Sequence, residues 1–276
     1  MSPKRGCQDE FSQATALRSL PKLFDGTKLD PQEDALIQQK LKDDGNLPRH
    51  IAIIMDGDRR WALERDLPKT EGHRFGRESV RDIVRASGEL GIEVLTLYSF
   101  STENWSRSRN EVQTLMRWLR ESLRDEIPEL DANNVRLNAI GRIQGLSKSV
   151  QLALRNALNR TAGNTGLLLN LALNYGGRSE LVDAFKNLAS QIQKGLLDPQ
   201  KIDEETIADA LYTANILDPD LLIRTSGEMR LSNFLTWQTA YTEFWFTSVY
   251  WPDFRRQHLY EAIKAYQQRH RRFGGA

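Results

Sequence analysis

The residues of this chain that could do chemistry fall into four short stretches. The first, His50-Ile-Ala-Ile-Ile-Met-Asp-Gly-Asp-Arg-Arg-Trp61, joins a β-branched run to a carboxylate, a glycine, two arginines and an indole. The others are Ser101 to Arg107, Asn174 to Gly177 and Arg224 to Ser232. Together with the nearby His73, Glu111 and Glu243, their inventory is one-sided. Arg60, Arg107, Arg224, Arg230 and His73 offer donors, Ser101, Asn104, Ser226 and Ser232 offer smaller polar groups, and the candidate acids are Asp56, Glu111 and Glu243. Guanidinium groups present paired N–H donors that match phosphate oxygens. One or two carboxylates left over suit Mg²⁺, which uses few protein carboxylates and fills its shell with phosphate oxygens and water. The expected chemistry is that of a phosphate or diphosphate anion held beside a hard cation. Taken alone, Asp56-Gly57 with its arginines fits a solvated surface turn equally well; the agreement of four stretches favours a site.

Such residues need elements that bring them together. Apolar runs give strands at Ile51 to Met55, Ile92 to Phe100, Val135 to Ile140, Leu167 to Leu173, Leu221 to Gly227 and Tyr241 to Tyr250. Between them lie amphipathic patterns from Gly76 to Gly91, from Glu111 through Leu123, from Val150 to Leu158, from Ser179 to Lys194 and from Glu204 to Ala214, and a basic helix from Arg255 to Arg272 closes the chain. Alternating strand and helix signals predict a single α/β domain with a mostly parallel six-stranded sheet flanked by helices. In a parallel sheet all four polar stretches then share the carboxyl edge, where ligands of open α/β folds bind. Residues 1–45 read as a polar N-terminal extension with one weak helical pattern at Ala35, Leu36, Ile37 and Leu41, and 46–276 as the domain. Arg74, Arg77, Arg81 and Arg85 read most simply as a solvated helix face.

Composition narrows the classes. Among 276 residues, 38 Lys and Arg against 37 Asp and Glu give a net charge of +1, so no global field points to nucleic acid. The lone cysteine, Cys7, excludes an internal disulfide framework and a cysteine metal cage, which fits a reduced, cytoplasmic setting. No signal peptide and no apolar run of membrane-spanning length is expected. Walker, Gly-x-Gly-x-x-Gly and Gly-x-Ser-x-Gly patterns are missing from the places that would give them meaning.

Seven motifs in order, Met55-Asp-Gly-x-x-Arg-Trp-Ala62, Gly72-His73, Phe100-Ser-x-Glu-Asn-Trp-x-Arg107, Asn174-Tyr-Gly-Gly-Arg178, Arg224-Thr-x-Gly-Glu-x-Arg-x-Ser-Asn-Phe234, Trp237-Gln-x-Ala-Tyr-x-Glu243 and Trp251-Pro-Asp-Phe254, resemble the cis-prenyltransferases, typified by undecaprenyl diphosphate synthase. The resemblance runs from about residue 47 to the C-terminus. It implies condensation of isopentenyl diphosphate onto an allylic diphosphate such as farnesyl diphosphate, with cis double bonds, pyrophosphate release and a long-chain product of the undecaprenyl class. It implies an essential Asp56 that handles Mg²⁺ and diphosphate, Gly57 for close backbone approach, and Arg60 and His73 on the allylic diphosphate. Arg224, Arg230, Leu231 and Ser232 match the isopentenyl diphosphate pocket, and Glu243 the second Mg²⁺ carboxylate, in family dimers often across the interface. Ser101, Thr102, Glu103, Asn104, Trp105, Arg107 and Glu111 match a loop and helix start that close over the reacting ends, with Asn104 among the catalytic residues. Arg272 and Gly274 resemble an element that reaches a neighbouring subunit, so a homodimer is implied, and a long lipid product leaves room for peripheral membrane contact.

The same match brings Asp58, Arg59, Trp61 and Lys69 into the substrate-binding set, with departures. The family usually has Asn at position 58 and, in many bacterial members, Gly at 59; Lys69 stands where Arg is common and Ser108 where Pro often follows. Arg59 is expected to partner Asp58 and offset its repulsion of a diphosphate. The growing chain needs a dry tunnel, expected beside the sheet between the helices from Gly76 and Glu111 and the strand through Ser99. The competing readings are a non-catalytic lipid-binding or partner subunit of the same family, which the retained Asp56 disfavours, and a nucleic-acid module, which the near-neutral charge disfavours.

Overall fold

In the computed structural model, residues 29–269 are described. Their strands form one all-parallel sheet in the order β3-β4-β2-β1-β5-β6: β1 His50–Ile54, β2 Val94–Ser101, β3 Arg136–Ile140, β4 Leu168–Tyr175, β5 Leu221–Arg224 and β6 Glu243–Phe246. The six-stranded parallel α/β reading holds. β1 is buried at every position because helices cover both faces, which is why its sequence is apolar without alternation. β6 is shorter than its aromatic run, and its four residues are only half-buried at the sheet edge.

Helices cover the sheet: α1 Pro31–Asp43, α2 Asp58–Leu63, α3 Lys69–Leu90, α4 Arg109–Asp125, α5 Ile127–Ala132, α6 Lys148–Thr161, α7 Gly177–Gln193, α8 Glu204–Ala210 and α9 Arg256–Gln267. α3 starts at Lys69, ahead of the expected Gly76, because Gly72 and Gly76 are helical for a packing reason. A Cβ on Gly72 would lie 2.0 Å from the Asp58 carbonyl oxygen, and one on Gly76 would lie 2.9 Å from the Trp251 ring, so these glycines let α2 and Trp251 press onto α3. α1 belongs to the segment read as an extension, yet its Leu41 is buried in the core and its Asp34 pairs with Arg256 at 2.5 Å. The described part of that segment is thus held on α9.

At the amino edge of the sheet His50 is fully buried, with Nε2 2.7 Å from the Thr96 hydroxyl and Nδ1 2.5 Å from the Leu217 carbonyl. Burial lowers its pKa to about 4, so the ring is neutral and structural. The opposite, carboxyl edge carries the polar stretches. Among the described residues no helix is long and apolar enough to cross a membrane.

Candidate active site

Asp56 sits two residues past β1, and Arg224 ends β5 beside it. The Arg224 side chain is only 3% exposed, and its Nη2 donates to Asp56 Oδ2 at 2.8 Å. Its Nη1 donates to Ser232 Oγ at 2.8 Å and to the Arg230 carbonyl, which ties the 225–232 loop to the strand. Asp56 Oδ1 accepts from the Gly57 amide at 2.8 Å. The Thr225 hydroxyl accepts from the Asp56 amide at 2.8 Å and donates to the Asp56 carbonyl at 2.7 Å, so the backbone beneath the carboxylate is pinned from both sides. Gly57 has φ 106°, and a Cβ there would lie 2.6 Å from the Tyr250 ring and 2.8 Å from Ser226. With 31% of its side chain exposed, Asp56 keeps one face open.

Arg60, one helical turn after Asp56, extends to Ser226 Oγ at 2.5 Å and to Glu228 Oε1 at 3.3 Å, with Asp56 Oδ1 at 4.0 Å. Glu228 also pairs with Arg230. Two arginines are therefore parked on one half-exposed carboxylate, an arrangement that an incoming polyanion can exchange for its own oxygens. Across the cleft the 3₁₀ turn Thr102–Ser106 is held at several points. Asn104 Oδ1 accepts from the Ser101 amide at 3.0 Å, Trp105 Nε1 donates to Asn174 Oδ1 at 2.7 Å, and Asn233 Nδ2 donates to Glu103 Oε1 at 2.8 Å. Burial alone would raise the Glu103 pKa, but hydrogen bonds from Asn233 and the turn outweigh it and hold the carboxyl below its usual range. Arg107 reaches back to Glu111 at 3.0 Å.

A cavity of about 1020 Å³ opens at this edge. Asp56, Gly57, Asp58, Arg59, Arg60, His73, Asn104 and Arg107 line its mouth, and Val84, Leu97, Leu119, Leu123, Leu137 and Leu167 lie deeper, between α3, α4 and β2. Leu167 and Leu137 belong to the opposite edge of the sheet. In the β2–β4 register from Val94↔Leu168 to Ser101↔Tyr175, seven strand steps separate the two edges, about 23 Å of apolar wall. Arg77 and Arg81 also face this cavity and meet Glu126 at 3.1 and 2.5 Å, while Arg85 meets Glu129 at 2.6 Å. These are not simply solvated arginines: they join α3 to the α4–α5 corner. Although burial raises the Glu126 pKa, Arg81 and Arg77 together pull it below the usual carboxylate range.

Comparison with known proteins places this geometry. A family model described as undecaprenyl diphosphate synthase matches residues 54–274. An isoprenyl transferase from Clostridium tetani is 53% identical over 230 residues, 83% of this chain and 90% of that protein. One from Heliobacterium mobile is 50% identical over 252 residues, 91% and 96%. The chain belongs to the undecaprenyl diphosphate synthase family. The crystal structure of lavandulyl diphosphate synthase from Lavandula x intermedia in complex with dimethylallyl diphosphate is similar at 40% identity and a TM-score of 0.81, over 83% of this chain and 99% of that one. A probable undecaprenyl diphosphate synthase from Campylobacter jejuni is similar at 31% identity and a TM-score of 0.70, over 84% and 100%.

Several residues expected in the family site stand elsewhere. Asp58 is not partnered by Arg59, which is exposed and makes no ion pair among the described residues; successive helical positions point about 100° apart. Its partner is His73, whose Nδ1 lies 2.7 Å from Asp58 Oδ2. Trp61 is 5% exposed and donates to Asp253 Oδ1 at 2.7 Å, so it packs in the core and does not line the cavity. Lys69 is exposed at the start of α3 and is not a lining residue either. Leu231 packs beside the Phe234 cluster. Trp237, Tyr241, Phe244 and Trp245 do not line the cavity, and Trp105 is anchored through Asn174. Glu243 does not meet Asp56 within the chain. It opens β6 in register with Leu221 and Ile51, about 16 Å of strand rise from Asp56, and pairs with Arg269. Arg272 and Gly274 lie outside the described residues.

The sequence reading missed Thr225 and Glu228 as parts of the site. Both lie inside the Arg224 motif, flanked by candidate site residues, and a Glu between the two arginines of that motif is the available signal. It also missed Asn174 as the anchor of Trp105; that pairing joins different elements and left no trace in spacing.

Proposed function

We propose that this protein is a cis-prenyltransferase that condenses isopentenyl diphosphate onto an allylic diphosphate, farnesyl diphosphate being the expected primer, and releases pyrophosphate and a long polyprenyl diphosphate of the undecaprenyl class. The observation that carries the reading is the placement of Asp56 and Arg60, with buried Arg224 bracing Asp56 from behind, at the mouth of an apolar cavity that runs the length of the sheet. A cavity of that volume stands at the top of the range of about 300–1,000 Å³ typical of ligand pockets, which favours a long chain over a five-carbon unit. Each CH₂ transferred into it contributes about 0.8 kcal/mol, so the buried tail anchors the substrate while its diphosphate end reacts.

Mechanistically, cleavage of the allylic C–O bond concentrates charge on the departing pyrophosphate. Arg60, released from Glu228, donates to those oxygens, while Arg224, Arg230 and Ser232 hold the diphosphate of the second substrate so that its double bond faces the allylic carbon; as the new carbon–carbon bond replaces the broken C–O bond, C2 of the second substrate loses a proton, which leaves on the departing pyrophosphate. The turn Thr102–Ser106 closes over the pair, excluding water from the cationic carbon. The donor chemistry of Asp56 fits magnesium: it is a hard, partly open carboxylate beside the anion site, and an ion that takes most ligands from phosphate and water needs no cluster of three protein ligands, of which the described residues hold none. When bound there, magnesium would neutralise pyrophosphate charge. Glu243 does not reach Asp56 in its own chain, so a role for it as second carboxylate requires another copy, as in a homodimer. The test is incubation of the purified protein with farnesyl diphosphate, labelled isopentenyl diphosphate and Mg²⁺. Label passes into butanol-extractable polyprenyl diphosphate with the wild type and at least about a hundredfold more slowly with Asp56→Ala. An inert wild type would instead leave the lipid-binding-subunit reading standing.

A further inference from the structure

Asp58 and His73 form a pair that the proposed reaction does not yet use. His73 Nδ1 and Asp58 Oδ2 are 2.7 Å apart, with only 21% and 14% of the two side chains exposed. A carboxylate only accepts, so Nδ1 carries the hydrogen and Nε2 is the ring atom left over. Nε2 is buried and has no hydrogen-bond partner, although His73 is one of the residues lining the cavity. The other Asp58 oxygen, Oδ1, is likewise buried without a partner. A buried ring nitrogen without a partner is an expensive arrangement, of the kind retained where a ligand completes it.

The backbone around Asp58 makes the contact obligatory. A Cβ on Gly72 would strike the Asp58 carbonyl at 2.0 Å, and one on Gly76 would come within 3.1 Å of Asp58 Oδ1. Position 58 is therefore clamped against one face of α3, between the two glycines that flank His73 by one and three residues. From there the carboxylate reaches the imidazole and is walled off on its other side. The Trp118 ring, 5.9 Å from the imidazole, limits the ring's freedom from the α4 side.

We propose that Asp58 is a positioning residue: it holds His73 through Nδ1 so that Nε2 is presented to the diphosphate of the allylic substrate, and it does not itself bind that substrate. The inference rests on the reading of this site as an allylic diphosphate site. A phosphate oxygen on Nε2 requires a hydrogen there, so in the bound state the ring carries two, and Asp58 supplies the negative charge that balances it. An Asn at this position could turn its NH₂ toward Nδ1 and choose the opposite tautomer; the carboxylate removes that choice.

The test uses the full-length protein at one fixed pH in magnesium-free buffer, with unreactive farnesyl thiolodiphosphate as probe. Two-bond ¹H–¹⁵N spectra identify which His73 nitrogen bears hydrogen, and calorimetry gives the dissociation constant. The expected wild type shows Nδ1–H when free and hydrogen on both nitrogens with the probe. Asp58→Ala and His73→Ala each weaken binding about tenfold, the double variant is no weaker than either, and Asp58→Asn falls between wild type and Asp58→Ala, because its amide oxygen can still accept from Nδ1 but brings no balancing charge. An Nε2–H tautomer in the free wild type, losses that add in the double variant, or an unchanged Asp58→Ala would each overturn the proposal. If Asp58→Ala melts, the wild-type tautomer and Asp58→Asn decide. Wild-type protein that shows Nδ1–H but fails to bind the probe would sink the substrate reading and, with it, the role of Nε2.

Discussion

Replacing Arg224 tests how the two halves of the site are joined. Its guanidinium bridges Asp56, at 2.8 Å, to Ser232, at 2.8 Å, and to the Arg230 carbonyl from a position only 3% exposed. Removing one partner of a buried ion pair costs about 3–5 kcal/mol. Asp56 is 31% exposed, so water re-solvates part of it and the lower half of that range, about 3 kcal/mol, is the expectation for Arg224→Ala. At about 2–4 °C per kcal/mol for a chain of this size, the melting temperature should fall by about 6–12 °C. Arg224→Lys separates charge from geometry: an ammonium can satisfy Asp56 or Ser232 but lacks the planar fork that spans both. It should recover most of the stability while kcat/KM for isopentenyl diphosphate stays about a hundredfold down. Scanning fluorimetry and initial rates of isoprene incorporation measure the two. Full activity in Arg224→Lys, or an Arg224→Ala protein as stable as the wild type, would refute the bridge.

Three further outcomes follow from other parts of the molecule. His50, with its folded pKa lowered by burial to about 4 against an ordinary value near 6.5, binds a proton in the unfolded chain before the folded one; stability should therefore fall as pH drops from about 6.5 to 4, by about 3 kcal/mol, and pH-dependent melting of His50→Gln should lack that component. Gly72→Ala should displace α2 from α3, since its Cβ would stand 2.0 Å from the Asp58 carbonyl; a loss of at least about 2 kcal/mol in urea unfolding is expected, and a neutral result would contradict the packing described. Leu137→Trp fills the far end of the cavity, so chromatography of the products should show a shorter chain with initial rates little changed.

The sheet was readable because its strands are short apolar runs between helical periodicities, and a parallel sheet leaves them no polar face. What spacing could not convey was the contact between elements. Gly72 and Gly76 look like helix breakers until Asp58 and Trp251 are seen resting on them. Asp58 was matched to the charged neighbour in sequence, Arg59, when the neighbour in space is His73 on the next helix. Trp61 and Lys69 sit inside or beside a motif, but one faces the core and the other solvent, a difference set by the helix phase that packing imposes on α2 and α3. Arg77 and Arg81 looked solvated because Glu126, which draws them to the cavity wall, lies on a different helix corner. The strand-end residues Asp56 and Arg224 were found together because sheet topology, unlike side-chain pairing, follows from the order of elements.

The most direct test of the account is the structure of the product made from farnesyl diphosphate and ¹³C-labelled isopentenyl diphosphate. Mass spectrometry and ¹³C NMR should give a ladder ending at a long polyprenyl diphosphate in which every added double bond is cis, and Asp56→Ala should make none of it. Trans double bonds, or a product joined in any way other than successive five-carbon extension, would contradict it.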